Sequence, residues 1–324
     1  MSKGSPCNKN RILAYRDDNS PEYAPKQVEL PVVESSFVQV GRGEHVVDVR
    51  MATVGKIGLT RLGIGVEAVG INILNPGYIG FALPVSWSGD LLLNGELANK
   101  SNIYMPGDLD SLHLYSKSRV ILGVTMPREP FVETIAALRG VDTGDIMLKH
   151  RELCLSEAAG VEVRARLTAI INEACSERRT HSQREISNEV IGLLTNAYLH
   201  ALPESLSQAE RISRPERIVR LAEERFMASD GKTISLADLC AAAGVGKSAL
   251  YKAFHNVCGL PPLTYFQKRR LMQARSLLIN AVNERGWVKH AALSTGFTEL
   301  GRFAVEYRKL FGESPSVTIS RFAG

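Results

Sequence analysis

The sequence is poor in aromatic residues, at 6%, and its five cysteines form an odd set with no short paired spacing. Cys7, Cys154, Cys175, Cys240 and Cys258 fit neither a disulfide framework nor a zinc site, so free thiols are expected. A long apolar run is also missing. The longest such tract, Ile57 to Leu74, is rich in glycine and interrupted by Arg61 and Glu67, which excludes a bilayer-spanning helix there. Met1 to Asn10 has no basic start followed by an apolar stretch and a small-residue cleavage site. These absences make the expected location cytoplasmic, with no membrane partner. What the chain does have is 44% hydrophobic and 23% charged residues, an ordinary globular composition, and a length of 324 residues that suggests two domains.

Charge is spread unevenly. From Arg211 onward there are 18 Lys and Arg against 9 Asp and Glu, net +9, while the residues before it are net −4. A basic last third on a slightly acidic body fits a polyanionic partner, and equally a solvated basic surface, because net charge alone names no partner.

Residues 1–30 are polar and punctuated by Pro6, Pro21 and Pro25, which reads as a flexible lead-in. Residues 31–205 read as a regulatory or dimerisation domain. Up to about residue 126 it shows short alternating runs with turn signals such as Asn75-Pro76-Gly77, the pattern of a β-rich, barrel-like domain of cupin type. After Pro130 the period turns helical: Phe131, Val132, Ile135 and Leu138 form one expected face, and Val163, Leu167, Ile170 and Ile171 another. Cys175 to Gln183 reads as a connector, Ile186 to Leu202 as a helix ending at Pro203, and the domain boundary falls near residue 210. Trp87, Phe81 and His113 are candidate pocket residues, with ordinary packing the commoner fate of such side chains.

The strongest signal is an internal repeat in residues 211–324. Leu236-x-x-Leu239-Cys240-x-x-x-Gly244-Val245 recurs as Val288-x-x-Ala291-Ala292-x-x-x-Gly296-Phe297, and Leu250, Phe254, Gly259 and Pro262 recur as Phe303, Tyr307, Gly312 and Pro315. Apolar residues at helical spacing, a glycine free to take positive φ, then a second apolar stripe describe two helices joined by a tight turn. Ser235 and Asp238 suit a capping box for the first helix, and Thr298 is the expected cap of the last reading helix. With Leu250 and Phe254 inward, Lys247, Ser248, Ala249, Tyr251 and Lys252 face out. With Phe303 and Tyr307 inward, Glu299, Leu300, Gly301, Arg302, Val305 and Arg308 face out. Such helices enter the major groove, about 12 Å wide, where Lys252, Arg302 and Arg308 suit guanine or phosphate and Glu299 suits cytosine; Ala249 and Gly301 permit close approach. Pro262 to Ile279, with Lys268-Arg269-Arg270 on one side, reads as a rigid helix holding the units about one DNA turn, ~34 Å, apart.

The string Gly296-Phe297-x-x-x-x-x-Phe303-x-x-x-Tyr307-x-x-x-Phe311-Gly312-x-x-Pro315, with two such units in about 100 residues, resembles the AraC/XylS family of bacterial transcriptional regulators. Leu300-Gly301-Arg302-Phe303-Ala304-x-x-Tyr307-Arg308 is similar to the branch that includes ethanolamine-operon regulators. The resemblance implies an α+β chain: a β-rich sensor or dimerisation domain with following helices, then an all-α domain with two helix-turn-helix units. It implies an activator that binds double-stranded DNA, with RNA polymerase, a small-molecule inducer and a second copy as further partners. It places the contacts on Ser248, Ala249, Tyr251 and Lys252, then Leu300, Gly301, Arg302 and Val305. Many members carry arginine where Val305 stands and polar residues where Leu300 and Gly301 stand, so the second unit is expected to grip backbone and thymine methyl groups more than base edges.

The competing reading is a nucleotide-binding enzyme using Gly246-Lys247-Ser248. A phosphate-binding loop needs an earlier glycine where Ala241 stands and a buried strand before it, and Leu236 to Ala243 reads as a helix. Gly63-Ile64-Gly65 lacks the third glycine of a dinucleotide site. Glu44, His45 and His113 form no metal cluster by spacing, and no nucleophile is paired with a base, so no enzyme, metal or cofactor is expected.

Overall fold

The computed structural model describes residues 32–43, 46–106, 111–148, 151–176, 180–202, 214–229, 234–280 and 286–322. The expected lead-in, the boundary near residue 210 and the pair Glu44 and His45 lie outside these residues.

Two antiparallel sheets form the first half, as the alternation of its strands foretells. One sheet runs β1 (Val32–Gln39), β4 (Ala68–Leu74), β9 (Ser111–Ser116), β6 (Leu92–Leu93) and β7 (Glu96–Leu97). The other runs β11 (Glu152–Leu153), β8 (Ile103–Tyr104), β5 (Tyr78–Ser88), β10 (Ser118–Pro127), β3 (Ile57–Ile64) and β2 (Val47–Val54). We call them the first and second sheet. Because side chains alternate between faces, each sheet has an inner and an outer set. Ala82, Leu91, Leu93, Tyr104, Leu112, Leu114 and Ile121 come from both sheets and fill the space between them, with half-buried Trp87 against this cluster.

Arg119 also points between the sheets. It is buried, and its Nη1 donates to the Ala68 carbonyl at 2.8 Å and the Ser116 hydroxyl at 3.1 Å, tying β10 to the opposite sheet. Burial pulls its pKa down to about 10. Gly70 makes the room: a Cβ there would stand 2.6 Å from the Arg119 Nη2.

The outer face of the second sheet carries Leu59, Phe81, Leu83, Leu122, Val124 and Met126 and is covered by α1 (Arg128–Arg139), α2 (Glu157–Ala174) and α3 (Gln183–Leu199). Phe81 thus belongs to a helix-facing core, 5.2 Å edge-on to Phe131, and not to a pocket between the sheets. The expected faces need two corrections. Leu138 is 65% exposed, and Ala136 joins Phe131 and Ile135 inside, because the helix lies on the sheet one position off the expected stripe. The α3 helix starts at Gln183, inside the expected connector, since Ser182 and Glu185 form a capping box that supplies its first turn. Val163, Leu167, Ile170 and Ile171 are buried as expected.

The outer face of the first sheet is apolar along β1 and β4. Val38, Val40, Val69 and Ile71 share one cluster with Ile218, Val219, Phe226, Leu250, Phe254 and Tyr265 of the C-terminal helices. The layers therefore run helices, sheet, sheet, helices. Among the described residues, no helix is long and apolar enough to cross a membrane.

Gly160 shows how closely α2 is laid on the strands: a Cβ there would stand 2.6 Å from the Ser101 carbonyl oxygen. Backbone cannot step aside as a side chain can, so Gly160→Ala should lower stability by about 1–3 kcal/mol, read as a shifted urea midpoint at unchanged slope.

Candidate nucleic-acid interface

Among the described residues, seven helices make the last third. The first, α4 (Arg214–Met227), packs against α5 (Leu236–Ala243) and α6 (Lys247–Cys258). The linking helix α7 (Pro262–Ile279) follows, then α8 (Trp287–Ser294), α9 (Leu300–Phe311) and α10 (Pro315–Phe322). The expected span of the linking helix coincides with α7. A proline at its first position suits the helix start, and its 18 residues make a rod about 27 Å long.

The first unit is α5, a turn and α6. Ser235 and Asp238 form the expected capping box, and Gly244 ends α5 at φ +64, a conformation glycine takes without strain. The second unit is α8, a turn through Gly296 at φ +85, and α9. Here one expectation fails: Thr298 does not cap α9. The N-cap is Glu299, with no side-chain capping bond, so the first turn of α9 keeps its N–H groups uncapped by a side chain.

Leu250, Phe254, Phe303 and Tyr307 are each fully buried, fixing the rotation of both reading helices. In α6 this leaves Lys247, Ser248, Ala249, Tyr251 and Lys252 exposed. At α9 it leaves Glu299, Leu300, Gly301, Arg302, Val305 and Arg308 exposed. Each set lies on one side of its own helix. Nothing stands within 4 Å of where a Cβ of Gly301 would be, so backbone or phosphate can come close. Among the described residues Lys247, Lys252, Arg302 and Arg308 form no ion pair, unlike Lys309, which lies 3.3 Å from Glu306.

The basic triplet of α7 does not lie on one side, because successive helical residues are turned by about 100°. Arg269 is buried, with Nη1 3.1 Å from Glu223 and 3.3 Å from the Tyr265 hydroxyl, which itself donates to Glu223. Six residues on, Arg275 is buried against the second unit. Its Nη1 donates to Glu313 at 2.8 Å, to the Tyr307 hydroxyl at 3.1 Å and to Thr318 at 3.3 Å, and its guanidinium lies 4.7 Å from the Phe311 ring centre. One buried arginine and one carboxylate thus fasten the rod to α4, against which the first unit packs, and a second such pair fastens it to the segment just after α9. Sequence reasoning missed Glu223, Arg269, Arg275 and Glu313; the available signal was the Tyr265-x-x-x-Arg269 spacing, which puts both on one helix face.

Gly246-Lys247-Ser248 opens α6 and follows a helix and a turn, so the strand-first setting of a phosphate-binding loop is not built here. Among the described residues no group of three His, Cys, Asp or Glu is placed to hold a metal.

Paired helix-turn-helix units, each with its outward side chains free and joined by one rod, define a DNA-reading class of domain. A family profile described as "Helix-turn-helix domain" matches residues 239–321. The chain is 38% identical over 105 residues to the XylDLEGF operon transcriptional activator 2 of Pseudomonas putida, covering 32% of this chain and 64% of that one. It is 30% identical over 155 residues to another XylDLEGF operon transcriptional activator of that organism, covering 46% of this chain and 47% of the relative. A crystal structure of a probable AraC family transcriptional regulator from Rhodopseudomonas palustris is 36% identical, with a TM-score of 0.30, covering 33% of this chain and 98% of that one. The chain thus spans about half to two thirds of the length of these two curated relatives. The match lies in the C-terminal third, where the chain carries a helix-turn-helix domain similar in sequence to those of operon transcriptional activators. The relatives named here do not bear on the ethanolamine-operon branch.

Tyr307 tests the second fastening. Tyr307→Phe removes a hydroxyl lying 2.8 Å from Thr318 and 3.1 Å from Arg275 and leaves buried partners short of a bond. Stability should fall by about 1–3 kcal/mol in chemical denaturation.

Proposed function

We propose that the chain is a sequence-specific DNA-binding transcriptional activator, with residues 211–324 reading DNA and residues 31–205 serving as sensor or dimerisation domain. The observation that carries this is the exposure of eleven outward residues at two like-built units, four of them cations without an ion-pair partner among the described residues. Lys247, Lys252, Arg302 and Arg308 displace counterions from phosphate, which supplies sequence-independent affinity. Ser248, Ala249, Tyr251 and Glu299 meet base edges, while Leu300, Gly301 and Val305 lie against thymine methyl groups and backbone. The relatives' names support activation. RNA polymerase, a small-molecule inducer, a second copy of the chain and a cytoplasmic setting belong to the same reading.

The test is binding to the DNA upstream of the chain's own gene, without nucleotide, across a salt series. Lys252→Ala and Arg302→Ala should each weaken binding and lower the slope of log affinity against log salt by about one. An unchanged slope for both would remove them from the phosphate contacts, and no shift by the unaltered protein would overturn the function.

A further inference from the structure

The second half of the chain does not stand apart from the first. Its helices rest on the outer face of the first sheet, and polar bonds cross the junction at both units. At the first unit, Ser111 and His113, two residues apart on β9, face α4. Glu216 and Glu223, two turns apart on α4, meet them: His113 Nε2 lies 3.0 Å from Glu223, and the Ser111 hydroxyl 3.4 Å from Glu216, which also takes Arg151 at 3.0 Å. Glu223 is the same carboxylate that holds Arg269 and Tyr265 of the rod. Through one side chain, a strand of the β-rich half is bonded to the first helix of the reading half and to the rod. The Gly259 end of α6 also meets the sheet, where a Cβ would stand 2.7 Å from the Tyr115 ring. At the second unit, the Leu310 carbonyl near the end of α9 accepts from Gln39 Nε2 at 3.0 Å and from the Gly43 N–H at 3.2 Å. These contacts fall on α4 and on the carboxyl ends of α6 and α9, leaving the outward residues exposed.

We propose that His113 is a positioning residue for DNA binding, holding the first helix-turn-helix unit on the β-rich half in the arrangement that lets both units engage DNA together. This rests on the DNA-binding reading above. His113 makes no contact with the reading face. Its Nδ1 is buried without a partner, so its ring hydrogen bonding rests on Glu223 across the junction. A docked pair of units loses less freedom on binding DNA than a pair joined by the rod alone.

The charges make the junction sensitive to protons. His113 faces Glu223 and Glu216 of α4 and Arg269 of α7, and the network includes Arg151 beside β11, Tyr265 of α7 and Cys258 at the end of α6. Burial lowers the imidazole pKa, but the Glu223 carboxylate, its hydrogen bond and Glu216 outweigh that and leave it raised above 6.5. The docked state therefore binds this proton more tightly than the undocked one. Its contribution is full below the ordinary histidine value and is lost as pH rises through the raised value.

The test uses the full chain, unaltered and as His113→Gln, in DNA binding at constant salt from pH 6 to 8.5. At pH 6 the variant should bind about tenfold more weakly, and the two curves should draw together as pH rises and the unaltered protein loses the proton. The salt slope of the variant should match the unaltered protein, which separates positioning from phosphate contact. Hydrogen exchange at the Gly43 amide, whose bond crosses the junction, reads docking without DNA: its protection should fall with rising pH in the unaltered protein and be low and flat in the variant. Gln39→Ala loosens the other end and should weaken DNA binding while keeping the pH profile, which covers the case of a variant at His113 that fails to fold. Parallel curves, equal protection or tighter binding by His113→Gln would overturn the proposal. Failure of the unaltered protein to bind DNA would instead overturn the function, with the exchange measurement still deciding the junction.

Discussion

A guanidinium keeps its proton in a protein interior, so every buried arginine dictates where an acceptor must lie. Arg269 and Arg275 impose this on α7. The first demands Glu223 on α4 and the second demands Glu313 between α9 and α10. Six residues separate them on one helix, so they project in different directions and seize different bodies. The attitude of each reading helix to the rod follows from those two ion pairs together with the packing of Phe254 on Tyr265 and of the Arg275 guanidinium on the Phe311 ring. Breaking one partner of such a pair leaves an uncompensated charge, which is costly, so the alternatives to this geometry are few.

The same requirement reaches into the first half. Glu223 serves Arg269 and His113 at once, and its carboxylate is held below the ordinary range despite burial because His113, Arg269 and Tyr265 all favour its charge. One ionised group thus belongs to the packing of the reading half and to its seat on the sheet. Around it the junction is apolar, with Val69 and Ile71 against the C-terminal helices, and this excludes water from the bonds it encloses.

How much of this was visible beforehand depended on whether a feature repeats. The duplicated pattern from Leu236 to Pro315 located both units, the turn glycines and the rod, because apolar spacing and glycine report local geometry directly. The inward stripes Leu250 with Phe254 and Phe303 with Tyr307 were readable for the same reason. Thr298 misled because capping depends on the φ and ψ of the residue that starts the helix, and that residue is Glu299. The β-rich half yielded its strands but not their partners, since alternation tells which side chains share a face and not what that face meets. His113 therefore read as a pocket candidate, though it looks outward at α4. Among Lys268, Arg269 and Arg270, nothing in the sequence distinguishes the one that turns inward; that choice is made by Glu223, 46 residues earlier.

Gly259 carries a consequence for how such proteins can be recombined. It ends α6 at φ +68, as glycine commonly ends helices, and its missing side chain is also the hollow that receives the ring of Tyr115. The terminus of α6 and the outer surface of the first sheet are therefore shaped as one fitting. A chimaera that joins this reading half to a foreign sensor inherits a socket without its plug, along with a greasy flank on α4 that no strand now shields. Transplantable halves would need the facing residues of β4 and β9 carried along, so the unit of exchange is larger than the segment that touches DNA.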